Sequence, residues 1–150
     1  MLFGSHTISR DDLPSFAGEL LRELKTTLPS EGALVVALHG DLGAGKTTLV
    51  QTLGARLGIT EAITSPTFTI MKHYETTDDV FTTLIHMDAY RIESLTELGP
   101  LRFADMLREP HTLVCIEWGE KIQEALPASL IHVTLSAVDE TTRTVQVTRA

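Results

Sequence analysis

The sequence predicts an α/β fold in which a mostly parallel central sheet, with some antiparallel strands, carries helices on both faces. Residues 33–38 form a continuous apolar run, which is typical of a strand buried on both faces of a parallel sheet. Strand-like and helix-like segments alternate along the chain, as expected of an α/β sheet. A glycine-rich loop follows the apolar run directly and leads into a helical pattern.

Each element is predicted from its hydrophobic period and its end signals, and a length of 150 residues suits one domain spanning 1–150. The predicted helices are 11–28, 46–57, a short helical stretch over about 94–108, and a helix that ends before Pro127. The predicted strands are 7–9 at an edge, 33–38, 67–75, 80–88 and 111–117, with a closing hairpin of 131–135 and 144–148.

The composition restricts the partners of the chain. It has 20 acidic and 12 basic residues, a formal net charge of −8. Such a surface repels nucleic-acid phosphates, so direct tight binding to DNA or RNA is disfavoured while binding to another protein is not. No segment approaches the roughly 20 apolar residues of a membrane-spanning helix, and no signal-peptide pattern is seen. We therefore expect a soluble, cytoplasmic protein, with the single Cys115 as a buried strand thiol.

The glycine-rich loop is a complete phosphate-binding motif, Gly40-Asp41-Leu42-Gly43-Ala44-Gly45-Lys46-Thr47. Its glycines let backbone N–H groups approach a triphosphate without a Cβ clash, and the following helix presents its positive end. Lys46 is predicted to reach the β- and γ-phosphates, Thr47 to ligate Mg²⁺, and Thr48 to contact the α-phosphate. The motif predicts a P-loop NTPase-like domain that takes ATP and Mg²⁺ and hydrolyses ATP slowly.

Two carboxylates end predicted strands of the sheet. Asp88 follows the apolar segment 83–87, and Glu117 follows the apolar segment 112–116. Because open α/β sheets bind ligands at the carboxyl ends of their strands, we expect both acids to face the loop. Either acid suits a catalytic role, holding Mg²⁺ through a water and polarising the attacking water. The pattern leaves open which of the two activates water, and the alternative for each is a solvated acid at a strand end.

Two further side chains have both a functional and a structural interpretation. Thr67, in the segment 65–68, fits a catalytic switch threonine that senses the γ-phosphate, or a strand entry set by Pro66. His86 fits a proton relay or a satisfied core histidine. The segment Thr7–Ser9 is a hypothesis for the base pocket, since an N-terminal edge strand is expected near the loop.

Three function classes fit these features. They are an ATPase that drives a larger assembly, a small-molecule kinase with a P-loop fold, and a nucleotide-binding scaffold without turnover. A kinase needs a substrate pocket and an arginine-bearing lid, for which residues 91–108 are the candidate segment. A GTPase is disfavoured, because the chain contains no asparagine and therefore no Asn-Lys-x-Asp element for guanine.

Four segments stand in a fixed order over about residues 34–120. They are Gly-Asp-Leu-Gly-Ala-Gly-Lys-Thr-Thr at 40–48, Ser-Pro-Thr-Phe-Thr-Ile at 65–70, His86-Met87-Asp88-Ala89-Tyr90-Arg91, and Ile116-Glu117-Trp118. Together they resemble the bacterial TsaE (YjeE) family. The resemblance implies a small ATPase, weak alone, that assists TsaB and TsaD in forming threonylcarbamoyladenosine beside the anticodon of ANN-decoding tRNAs. Contact with tRNA is then indirect, through the complex, and TsaD carries out the carbamoyl transfer.

The resemblance also implies roles for individual residues. Lys46 and Thr47 match the family's phosphate and Mg²⁺ residues, and Thr67 matches its switch threonine. Asp88 and Glu117 match its two functional acids. The tryptophan after the second acid is present at 118, whereas Ala89 stands where a larger apolar residue is common. Residues 95–107 align only loosely with the family's acidic helical segment, so no partner contact is carried over.

Overall fold

The structure is a computed structural model that describes residues 3–41, 43–64, 66 and 70–149. The strands of the described chain are β1 (Gly4–Ser9), β2 (Leu34–His39), β3 (Met71–Glu75), β4 (Thr83–Asp88), β5 (Thr112–Glu117), β6 (Ile131–Ala137) and β7 (Thr142–Arg149). The α-helices are α1 (Leu13–Lys25), α2 (Lys46–Arg56) and α3 (Phe103–Leu107), and 3₁₀ helices span Arg10–Asp12, Leu95–Leu98 and Gly119–Ala125.

All strands form one seven-stranded sheet in the order β1-β7-β6-β2-β5-β4-β3. The four inner strands β6, β2, β5 and β4 are mutually parallel. The three others, β3 at one edge and β7 and β1 at the other, pair antiparallel. The predicted mostly parallel sheet with antiparallel strands is therefore confirmed, as are the hairpin of β6 with β7 and the edge strand at the N-terminus.

Helices cover both faces of the sheet, as predicted. On one face, β2 contributes Leu34, Val36 and Leu38 to a core shared with α1 and α2. On the other face, its residues Val35 and Ala37 join a second core with α3 and the two later 3₁₀ helices. A strand that buries both faces needs apolar residues at every position, which explains the continuous run at 33–38. Burial on both sides holds β2 rigid where the glycine-rich loop begins.

Three predicted helices differ from the observed ones. The first ends at Lys25 rather than residue 28, because the hydroxyls of Thr26 and Thr27 donate to carbonyl oxygens of the last turn. The stretch 94–108 is broken between the 95–98 helix and α3, because Pro100 lacks the backbone N–H of a continuing helix and Arg102 has left-handed backbone at φ 57°. The helix expected before Pro127 is a 3₁₀ helix over 119–125.

Two predicted strands begin later than expected. Ile70 lies in the left-handed region at φ 66°, so the described part of the 67–75 segment becomes a strand only at 71. Residues 67–69 lie outside the described residues. In the 80–88 segment, the carboxylate of Asp78 accepts hydrogen bonds from the backbone of Val80 and Phe81, and this turn delays the strand to 83. Over the described parts of the chain, no helix has the length and apolar character needed to span a bilayer.

Candidate phosphate-binding site

The glycine-rich loop connects the end of β2 to the start of α2 and needs glycine at specific positions. Gly45 caps α2 with φ 109°, and Gly40 has φ 144°, both in a region that side chains with a Cβ rarely adopt. A Cβ on Gly40 would also collide with the carbonyl oxygen of Leu135 on β6. The backbone N–H of Ala44 donates to the carbonyl of Asp41 at 3.0 Å, which closes a turn within the loop. Leu42 lies outside the described residues.

Lys46, the first residue of α2, is directed into the loop. Its ammonium Nζ donates to the carbonyl oxygen of Gly40 at 2.7 Å and lies 4.0 Å from Oε1 of Glu117. The Lys46 side chain is 10% exposed. Nζ is also 5.5 Å from the ring centroid of Trp118, a cation–π distance. The lysine therefore links the loop on β2 to the carboxyl end of β5.

Asp88 and Glu117 lie side by side at the carboxyl ends of the parallel strands β4 and β5. They are only 7% and 6% exposed, although an unpaired buried carboxylate is costly. Glu117 has Lys46 beside it, and Oδ1 of Asp88 accepts the backbone N–H of Tyr90 at 2.9 Å. The structure thus places both acids at the edge of the sheet that carries the loop. Their catalytic roles stay predictions.

His86 is fully buried and contacts the second acid directly. Its Nε2 lies 2.8 Å from Oε2 of Glu117. The interpretation as a satisfied core histidine is therefore incomplete, because its other ring nitrogen, Nδ1, has no hydrogen-bond partner among the residues that the structure describes. Sequence reasoning weighed His86 by its apolar neighbours and missed this contact, which joins residues 31 positions apart.

A cavity of about 230 Å³ adjoins the loop. Its lining comprises Ile8, Arg10, Leu13, Gly43, Ala44, Gly45, Thr48, Leu135 and Arg143. Apolar residues from three elements and two arginines line this cavity, a combination suited to a planar heteroaromatic base. Ile8 belongs to the Thr7–Ser9 segment that the sequence suggested for the base pocket. The cavity is next to the third residue of α2, Thr48, where an α-phosphate contact was predicted.

Arg143, on β7, supports the loop from outside. Its Nε donates to the carbonyl of Ala44 at 3.2 Å, and its Nη1 donates to the carbonyls of Asp139 and Thr142 at 2.7 and 3.1 Å. The guanidinium thereby ties the β6–β7 hairpin to the glycine-rich loop. Sequence reasoning missed Arg143, because 99 positions separate it from Ala44 and no motif surrounds it.

The oxygen donors near the loop fit Mg²⁺. Thr47, at the second position of α2, offers a hydroxyl, and the strand-end acids offer carboxylates, which are the ligands that Mg²⁺ prefers. Within residues 3–41, 43–64, 66 and 70–149, no group of three His, Cys, Asp or Glu side chains is arranged to hold a metal ion. The predicted switch residue, Thr67, lies outside the described residues.

Comparisons with known proteins agree with this fold. The model of the family described as "Threonylcarbamoyl adenosine biosynthesis protein TsaE" matches residues 9–145. Three similar relatives are each named "tRNA threonylcarbamoyladenosine biosynthesis protein TsaE". The one from a Nostoc species is 40% identical over 116 residues, covering 76% of this chain and 69% of the relative. The one from Bacillus subtilis is 37% identical over 115 residues, covering 76% and 68%.

The third relative, from Rickettsia bellii, is 34% identical over 150 residues, covering 98% of this chain and 96% of its own. Among solved structures, the crystal structure of Bacillus subtilis YdiB superposes with a TM-score of 0.67 at 25% identity. That match covers 100% of this chain and 88% of YdiB. The similarity therefore extends over the whole sheet and beyond the phosphate-binding motif.

Proposed function

The chain belongs to the TsaE family of threonylcarbamoyl adenosine biosynthesis proteins, and on that premise we propose that it is an ATP-binding protein that hydrolyses ATP weakly by itself. It acts with TsaB and TsaD in the threonylcarbamoyladenosine modification of tRNA. The observation that carries the proposal is the position of Lys46, whose ammonium lies between the loop carbonyl of Gly40 and the strand-end acid Glu117. A lysine so placed faces the phosphates and the group that acts on water together.

The chain's own residues supply binding and orientation. Backbone N–H groups of the loop and the start of α2 hold the phosphates, and Lys46 neutralises charge on the β- and γ-phosphates. Thr47 and the strand-end acids would hold Mg²⁺, which would supply positive charge to offset the charge on the phosphate oxygens. Glu117 accepts a hydrogen bond from the attacking water and orients it, and Asp88 would hold Mg²⁺ through a water. The site proposed here has one cation, Lys46, and the two acids Asp88 and Glu117. We therefore expect slow ATP hydrolysis unless partner proteins complete the site.

The base of the nucleotide occupies the cavity beside the loop. Ile8 and Leu135 provide apolar contacts to the ring, and Arg10 and Arg143 supply cationic faces over which an aromatic base packs favourably. The N–H donors of the Arg10 guanidinium and of Nη2 of Arg143 match the acceptor nitrogens of adenine. This assigns the N-terminal strand β1 a direct role in nucleotide binding.

The net charge of −8 favours a protein that acts on tRNA through its partners rather than by binding tRNA directly. A surface with an excess of acidic residues is repelled by the tRNA backbone, so partner proteins hold the RNA while this chain supplies nucleotide-dependent change. An ATPase in such an assembly needs a surface that partners contact near the nucleotide. Tyr90 and Trp118 are 53% and 39% exposed, with ring centroids 5.2 Å apart, directly beside the acids. Exposed aromatic side chains are enriched in protein interfaces.

Steady-state ATP hydrolysis with Mg²⁺ tests the proposal. The rate is measured for the chain alone and then with purified TsaB, TsaD and tRNA, with Lys46→Ala as the background in each mixture. We expect slow turnover alone and a changed rate when TsaB and TsaD are added. Turnover that ignores both proteins would contradict the partnership and direct attention to small-molecule phosphate acceptors. If the unmodified chain hydrolysed ATP no faster than the Lys46→Ala variant in every mixture, the proposed ATPase activity would be contradicted.

A further inference from the structure

We infer that His86 is a positioning residue that holds the carboxylate of Glu117 in one orientation toward the loop. The inference rests on the proposed ATPase function, in which Glu117 orients the attacking water. His86, on the interior strand β4, is too deeply buried to contact a nucleotide, so its role in the site would be indirect.

The register of the sheet brings the two side chains together. His86 on β4 pairs with Cys115 on β5, and Asp88 pairs with Glu117. Because side chains alternate between the two faces of a sheet, all four residues lie on the same face, the one that packs against α2. Glu117 is then the diagonal neighbour of His86, and its side chain reaches back over the strand to the imidazole.

The hydrogen bond determines which ring nitrogen carries the proton. A carboxylate only accepts hydrogen bonds, so Nε2 of His86 donates to Oε2 of Glu117 across 2.8 Å. Nδ1 is buried without a hydrogen-bond partner anywhere in the described residues.

A histidine at this position is poorly explained by packing alone. A buried nitrogen without a partner costs free energy, and an apolar side chain would fill the same space without that cost. The neighbouring positions Ile85 and Met87 are filled in that way. The benefit that offsets the cost is the bond to Glu117, the one polar contact that the imidazole makes in the described structure.

The bond changes what Glu117 presents to the loop. A glutamate side chain turns about three bonds, and a free one would distribute its two oxygens over many positions. Here Oε2 is held by His86 while Oε1 lies 4.0 Å from Nζ of Lys46. Oε1 is therefore the oxygen that can interact with the Lys46 ammonium and with the attacking water of the proposed reaction. Fixing a general base in this way is worth about 10- to 100-fold in rate, since an ångström of misplacement costs that much.

Two variants of His86 separate positioning from packing. His86→Gln keeps an N–H donor at the same number of bonds from the backbone as Nε2, and His86→Leu fills the space without a donor. We expect His86→Leu to lower kcat about 10- to 100-fold while the Kd for ATP, measured by Trp118 fluorescence, changes less than about threefold. His86→Gln should recover most of the rate. A merely structural role would lower ATP affinity and thermal stability together with kcat.

A double variant tests whether His86 acts through Glu117. If it does, adding His86→Leu to Glu117→Gln produces no further loss of kcat, because the group being positioned is already absent. Multiplicative losses in the double variant would overturn the inference. So would a His86→Gln variant as slow as His86→Leu.

Crystal structures of the variants supply a readout that does not depend on hydrolysis. The carboxylate of Glu117 should leave its position in His86→Leu and keep it in His86→Gln. A carboxylate that stays in place in His86→Leu would overturn the inference even if the protein is an active ATPase. Conversely, absence of ATPase activity in the unmodified chain would overturn the proposed function and leave this structural comparison decisive for His86.

Discussion

Asp88 and Glu117 are register partners at the ends of adjacent parallel strands, yet their carboxylates are held by different groups. Glu117 lies between the ammonium of Lys46 and the imidazole of His86. Asp88 accepts a hydrogen bond from the backbone of Tyr90, two residues on. Glu117 is therefore tied to the phosphate-binding loop, and Asp88 is tied to its own strand end. This difference separates the two acids, whose roles the sequence pattern leaves equal.

Isosteric amides should distinguish the roles of the acids. Glu117→Gln replaces one carboxylate oxygen by an amide NH₂ and removes the negative charge that acts on water, so we expect kcat to fall about 100-fold or more with little change in the Kd for ATP. Asp88→Asn weakens the metal's water shell, so the Mg²⁺ concentration for half-maximal rate should rise about tenfold. Rates over a Mg²⁺ titration measure both effects. If Asp88→Asn had the larger effect on kcat at saturating Mg²⁺, Asp88 would be the acid that activates water.

Removal of Lys46 should weaken nucleotide binding. Lys46→Ala leaves the triphosphate without its cation, and we expect the Kd for ATP to rise at least about tenfold, the equivalent of about 1.4 kcal/mol. Fluorescence of Trp118, 5.5 Å from the ammonium, can report binding in the parent chain. A fluorescent ATP analogue gives the same measurement in the variant.

Lys25→Ala is the matched control for that variant. Its ammonium pairs with Asp78 at 2.7 Å, and within the described residues it makes no hydrogen bond to the glycine-rich loop. ATP affinity should therefore be unchanged. Equal weakening by both variants would mean that Lys46 acts only through the overall charge of the chain.

Loss of Arg143 should loosen the loop. Arg143→Ala removes the hydrogen bond to the carbonyl of Ala44 and one wall of the base cavity. One such bond contributes about 1 kcal/mol, so we expect ATP affinity to fall about fivefold. Arg149→Ala on the same strand is the control, since its guanidinium packs over the ring of Phe3. If Arg143→Ala left the ATP affinity unchanged but lowered the thermal stability, the role of Arg143 would be to stabilise the β6–β7 hairpin and not to support nucleotide binding.

Acid should destabilise the protein through His39. Burial lowers the pKa of His39 below its usual 6.5, and the neighbouring His132 and Lys46 lower it further, against an opposing effect of Glu120. Between the lowered value and 6.5, the unfolded chain binds more protons than the folded chain, so the free energy of unfolding rises with pH. This contribution is fully present above pH 6.5 and is lost as the pH falls toward the folded-state value.

Urea unfolding at a series of pH values checks the effect. His39→Gln should reduce the loss of stability between pH 7 and pH 5, and the exposed His73→Gln should not. A pH profile that is the same in His39→Gln and the unmodified chain would contradict the role of His39. Any remaining slope in the variant belongs to other groups.

Cys115 should be inert to thiol reagents in the folded protein. Burial, assisted by the negative charge of Glu117, raises the pKa of its thiol to about 12. At pH 8 on the order of one thiol in ten thousand is ionised, and the thiolate is the reactive form. Iodoacetamide should therefore modify the chain only after unfolding in guanidinium chloride. Rapid modification of the native protein would show that β5 opens to solvent.

Contiguous features of the sequence predicted most of the fold. The apolar run at 33–38 and the glycine pattern at 40–45 specify backbone conformations through their own residues, so a strand and a loop could be predicted without tertiary information. The error over 94–108 had one local cause that was visible, since Pro100 lacks the backbone N–H that a continuous helix needs. The start of α2 and the ends of β4 and β5 were predicted to within a residue.

The contacts within the site had no such local signal. Arg143 meets Ala44 because the β6–β7 hairpin returns alongside the loop, and His86 meets Glu117 because β4 and β5 pair in one register. A shift of that register by one residue would move one of the two side chains to the opposite face. Residue types and their local periods thus determine which elements form and which groups could take part in catalysis. Which groups touch depends on strand order and register, because these are set by the packing of the whole sheet between its two helical layers.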